Sequence, residues 1–135
     1  MNFGEKVRAA RRELGLTQRE LAEKAGVSLR SIASYESNQA LPRTREATRR
    51  LAEALGVTSN YLLTEEETFL VDAEEQFGPR GRRGAEKLLR EITGLFAGGE
   101  MAEEDMDALM FAIQDAYVQA KKRNQKYMPK KYRKE

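Results

Sequence analysis

The sequence predicts an all-α protein with a bundle of short helices over residues 2–64 and a helical hairpin over residues 85–124. Three observations carry this prediction. Apolar residues recur at three- and four-residue spacings, the period of one helix face. No segment of the first half alternates apolar and polar residues as a half-buried strand would. Ser, Thr and Gly fall where helices start and stop.

Taken in order, residues 2–14 form a first helix, because Phe3, Val7, Ala10 and Leu14 make one stripe and Gly15 ends it. Lys6, Arg8, Arg11 and Arg12 fall on its polar face. A second helix opens at Thr17 with a capping box: the Thr17 hydroxyl accepts from the Glu20 amide while the Glu20 carboxylate reaches back. Leu21 and Ala22 are its inward stripe, and Gly26 supplies the positive φ at which it stops. Ser28 then caps a third helix after a very short turn. Two helices so joined form a helix-turn-helix, a geometry that sets the second helix in a DNA major groove.

On the third helix Ile32 and Tyr35 share the core face, so Leu29, Arg30, Ala33 and Ser34 face outward. That face suits base edges, since Arg can hold guanine bidentately, Ser can bond to either base type, and apolar groups can meet thymine methyls. Pro42 blocks continuation, and Thr44 caps a fourth helix that ends near Leu55 before Gly56 and buries Ala47, Leu51, Ala54 and Leu55. Thr58 or Ser59 caps a short fifth helix burying Tyr61, Leu62 and Leu63.

Beyond Thr64 the chain turns acidic, and the short triplet Phe69-Leu70-Val71 does not discriminate helix from strand. Gly78-Pro79-Arg80-Gly81-Arg82-Arg83-Gly84 reads as an irregular, solvated linker. Leu88, Leu89, Ile92, Leu95 and Phe96 mark a helix over 85–97, ended by Gly98-Gly99. A longer helix follows from about Ala102 to Asn124, with Met106, Met110, Ile113, Tyr117 and Ala120 in one stripe and Phe111 and Val118 in a second. One partner helix covers only one stripe, so Met110, Phe111, Ile113, Tyr117 and Val118 are expected to meet the same hairpin of a second chain.

At 135 residues the chain holds one ordinary domain, or a small domain with an appendage. With no Cys and no His it lacks thiolate nucleophiles, imidazole bases and nearly every zinc site. The acids Glu103, Glu104, Asp105, Asp107 and Asp115 read as a solvated face and helix-start charges rather than metal ligands. No catalysis, metal or cofactor is therefore expected. No apolar run is long enough to span a membrane and no signal segment is evident, so the expected location is the cytoplasm. The net charge of +2 hides a basic, then acidic, then basic order of segments, and Lys130-Lys131-Tyr132-Arg133-Lys134 reads as a nucleic-acid arm or a solubilising tail.

As a set, Leu16-Thr17-Gln18, Glu20-Leu21-Ala22, Ala25-Gly26-Val27-Ser28, Ile32, Tyr35-Glu36, Pro42, Leu51-Ala52, Leu55-Gly56-Val57 and Tyr61-Leu62-Leu63 resemble the five-helix DNA-binding domain of the Cro and phage-repressor, or XRE, family. The resemblance spans about residues 2–64 and implies a repressor of the kind carried by prophages and mobile elements, with double-stranded DNA as partner. It implies that Gln18 meets phosphate or braces a base contact, that Leu29, Arg30 and Ser34 meet bases, and that Arg43 approaches the backbone or minor groove. Many relatives carry a polar residue where Leu29 stands. It also implies a structural ion pair of Arg11 with Glu36. The expected DNA-binding set is thus Gln18, Ser28, Leu29, Arg30, Ser34 and Arg43. The expected division is a DNA-binding domain over 1–64, an acidic segment and Gly/Arg linker over 65–84, a dimerising hairpin over 85–124 and a basic tail over 125–135. A rival reading is an antitoxin-like interaction module, its hairpin binding another protein and its DNA binding secondary.

Overall fold

A computed structural model describes residues 1–95 and 103–126, and every described element is a helix. They are α1 (Phe3–Glu13), α2 (Gln18–Ala25), α3 (Leu29–Glu36), α4 (Arg45–Leu55), α5 (Ser59–Leu62), α6 (Glu65–Leu95) and α7 (Glu103–Lys126). The chain divides into two compact units, Met1–Gln76 and the remainder from Phe77.

In the first unit the helix starts are written locally. Asn2, Thr17 and Thr64 each close a capping box with the Glu three residues on, while Ser28, Thr44 and Thr58 each accept from an amide three residues ahead. Gly26 and Gly56 end α2 and α4 at φ 70° and 71°, where an L side chain would be strained. Phe3, Val7, Leu21, Ile32, Leu51 and Leu62 interlock as one buried core, and the Phe3 ring meets Tyr35 edge-on at 5.8 Å. Val71 joins this core, so the start of α6 packs on the five-helix bundle. There Asp72 also accepts a two-pronged bond from Arg45 at 2.6 Å on each prong.

Gly4 of α1 lies against the main chain at the end of α3. A Cβ there would lie 2.5 Å from the Glu36 carbonyl oxygen and 2.8 Å from that of Tyr35, so any side chain would have to displace main chain. The Gly4 amide donates to Asn38 Oδ1 at 2.8 Å, and Asn38 holds a left-handed conformation at φ 61°. Residue patterning did not single out either residue.

Four expectations are corrected. Leu14 is 48% exposed, because α1 ends at Glu13 and Leu14, as its C-cap, leaves the apolar stripe. Tyr61 is 45% exposed with the Lys6 ammonium 5.5 Å from its ring centre, since the single turn of α5 turns only Leu62 and Leu63 inward. Ala47 is half-buried rather than buried. The expected linker over 78–84 is helical except at Gly78, whose φ 75° and ψ −168° are open to almost no other residue. Pro79 directly follows this break, at a first helical position where its missing N–H costs nothing. Gly84 is used for packing: a Cβ there would sit 2.5 Å from the Tyr117 hydroxyl of α7. The side chain of Leu95, the residues Phe96, Gly98 and Gly99, and the basic stretch 127–135 lie outside the described residues.

Candidate nucleic-acid interface

The turn between α2 and α3 is fixed by backbone chemistry. The Val27 amide donates to the Ala22 carbonyl at 3.0 Å across left-handed Gly26, satisfying the end of α2. Ser28 Oγ accepts from the Ser31 amide at 3.0 Å and lies 2.9 Å from Ser31 Oγ. Its hydroxyl is thus committed to starting α3.

α3 buries Ile32, Tyr35 and Glu36 and leaves Leu29, Arg30 and Ala33 exposed, with Ser34 half-buried beside them. Leu29 is 41% exposed. The Ser34 carbonyl accepts from the Gln39 amide at 2.9 Å and from the Ala40 amide at 3.3 Å, which closes the far end of α3. Arg43 follows in an exposed loop. Burial pushes the Tyr35 phenol above its usual range, and the Arg43 charge opposes that shift.

Behind this face lies a polar cluster centred on Glu36, whose side chain is 1% exposed. Arg11 Nε donates to Glu36 Oε2 at 2.7 Å and Arg11 Nη2 to Oε1 at 3.0 Å, a bidentate pair joining α1 to α3. Arg11 Nη1 donates in addition to the Leu16 carbonyl at 2.9 Å, tying in the approach to α2. Arg8 Nε and Gln18 Nε2 complete the set on Oε1 at 3.3 and 3.2 Å. Burial favours the neutral acid, but hydrogen bonds from Arg11 and Gln18, the Arg11 charge and the Arg8 bond outweigh it and hold the Glu36 carboxyl below the usual carboxylate range. The ion pair expected from the resemblance, Arg11 with Glu36, is thus present but has further donors. The structure ties Arg8 to the same carboxylate, and Arg12 remains exposed. Gln18, expected at phosphate, has one amide proton engaged by Glu36, which orients its half-buried side chain at the first position of α2.

In the second unit, Phe111 is 65% exposed while Met110, Ile113, Tyr117 and Val118 are half-buried. Tyr117 lies against Gly84, and its phenol is pushed up by burial. Among the described residues no group of acidic side chains is arranged to hold a metal ion, and no helix is long and apolar enough to cross a membrane.

Residues 4–67 match the model of a helix-turn-helix domain family. Over 98% of its length the chain is 34% identical to the immunity repressor protein of Bacillus phage phi105, covering 96% of that protein. It is 29% identical to the HTH-type transcriptional regulator ImmR of Bacillus subtilis (strain 168), over 77% of this chain and 82% of that one. No solved structure matches the chain.

Proposed function

The chain belongs to the XRE-type helix-turn-helix family of DNA-binding transcription regulators, and from that premise we propose a dimeric repressor of a prophage or mobile element that acts in the cytoplasm. It represses by occupying an operator that overlaps a promoter. The observation that carries this reading is the exposed face of α3, Leu29, Arg30 and Ala33, held by caps at the helix start and by the buried Glu36 cluster behind it. The near full-length likeness to a phage repressor supports it over an antitoxin-like module, since it extends through the second unit as well.

In this reading Arg30 takes guanine O6 and N7, Leu29 meets a thymine methyl and Ser34 bonds a neighbouring base edge. Gln18, with one amide proton on Glu36, offers the other to phosphate. Ser28 acts by fixing the first turn of α3, and Arg43 meets the sugar-phosphate backbone. A second copy covers Phe111, with Met110, Ile113, Tyr117 and Val118 around it.

The test is a comparison of two arginines on DNA fragments that the intact protein selects from genomic DNA and on random duplex. Arg30→Ala is expected to weaken binding to the selected site by about 1–3 kcal/mol and to relax preference at one base pair. Arg43→Ala is expected to weaken binding to both duplexes alike and to lower the salt slope by about one. Equal losses on the two duplexes for Arg30→Ala would remove it from the base-reading set.

A further inference from the structure

The segment expected to be a floppy linker is instead helical from Pro79 onward, and this turns its scattered arginines into a surface. At 100° per residue, Arg80, Arg83, Lys87 and Arg90 fall within an arc of about 80° and span roughly 15 Å along the helix. All four are exposed. Acids lie only at the borders of this arc: Glu86 bonds to Arg82 Nε at 3.0 Å, and Glu91 stands 4.0 Å from Lys87 Nζ. Among the described residues, Arg80, Arg83 and Arg90 have no carboxylate partner. The same arc continues to Gly94, where nothing lies within 4 Å of the position a side chain would take, so a bulky partner can approach.

This arrangement works against the helix that carries it. Like charges three and four residues apart repel, and here they recur at 80–83, 83–87 and 87–90. A polyanion laid along the stripe would convert each repulsion into attraction. We propose that Arg80, Arg83, Lys87 and Arg90 form a second DNA contact, which grips the phosphate backbone without reading sequence and adds to the affinity supplied by α3. The proposal rests on the reading of the chain as a DNA-binding repressor.

The experiment uses the full chain with Arg80→Gln, Arg83→Gln and Arg90→Gln combined, beside the matching triple Lys variant. Binding to a fragment selected from genomic DNA and to random duplex is measured over a range of salt. Each lost phosphate contact lowers the slope of log K against log salt by about 0.9, so the Gln triple is expected to fall by about 2–3 per chain on both duplexes. The Lys triple keeps its charges and is expected to keep the wild-type slope. If the Gln triple does not melt as the intact protein does, Arg83→Gln alone is read against a drop of about 0.9. An unchanged slope in a folded Gln variant overturns the proposal, as does a loss confined to the selected fragment. Loss of binding to anionic phospholipid vesicles with the DNA slope intact would assign the stripe to a membrane surface instead. If the intact protein binds neither duplex, the repressor reading fails, which is a different result from an intact slope in the variant.

Discussion

A fragment ending at Gly78 is expected to fold, to stay monomeric and to bind a palindromic operator about 10²-fold or more weakly than the intact chain. The cut falls at the non-helical Gly78, so the fragment keeps the whole first unit, including Val71 in its core and the Arg45–Asp72 fork. What it loses is the hairpin that, in the proposed dimer, makes the second half-site contact intramolecular. In that proposed dimer the two copies of α3 are expected to read half-sites about 34 Å apart, one turn of B-DNA. Ile113→Asp is expected to reproduce the truncation by placing a charge in the seam, at a residue the chain itself already half-buries. Phe111→Asp separates the effects better. Phe111 is 65% exposed within one chain, so its replacement costs the chain's own folding little and acts on the association. Sedimentation at micromolar concentration decides: a monomeric intact protein, or a Phe111→Asp dimer of undiminished stability, rejects the hairpin as the interface.

The largest effect on folding is expected at Glu36. Glu36→Ala strands the bidentate partner Arg11, only 12% exposed, and is expected to cost about 3–5 kcal/mol. Arg11→Ala is expected to cost less, because Arg8 and Gln18 still donate to Glu36. The double variant should lose clearly less than the sum of the singles, and a strictly additive cycle in thermal or urea unfolding would reject the coupling. The same cluster sets a pH dependence. The folded carboxyl titrates below its usual range, so its stabilising contribution is complete above the unfolded value of about 4.3 and is lost as pH falls through the folded value. Glu36→Gln, which has nothing to titrate, should flatten the acid limb of the melting curve at that site.

What could be read from residues alone was what is encoded within a few positions. The Thr17–Glu20 box, Gly26 and the Ser28 cap are each decided by neighbours, and all stand in the structure where the pattern put them. Thr64 and Glu67 carry the same signal as Thr17 and Glu20 and would have identified the start of α6. The contacts that escaped, Gln18 and Arg8 on Glu36 and Gly4 against the end of α3, join residues 18 to 34 positions apart. They depend on how helices cross, which periodicity does not encode. The helix from Pro79 escaped for another reason: Gly and Pro are breakers on average, yet Pro at a first turn and Gly beneath Tyr117 are where each costs least.

The boundary after Gln76 has a consequence in time. The 59 residues that follow it take about 3–12 s to synthesise at roughly 5–20 residues per second, whereas small helical units fold within microseconds to milliseconds. The DNA-reading head can therefore fold as it emerges from the ribosome, while the proposed pairing segment is still inside the ribosome or being made. Ribosomes arrested with residues 1–76 exposed should already capture a half-site duplex, and failure to do so would contradict this order. In the proposed dimeric reading the protein is a half-site reader from the first seconds of its life and a whole-operator reader only after it finds a partner, so the rate of partner encounter would set how soon a freshly expressed pool can silence its promoter.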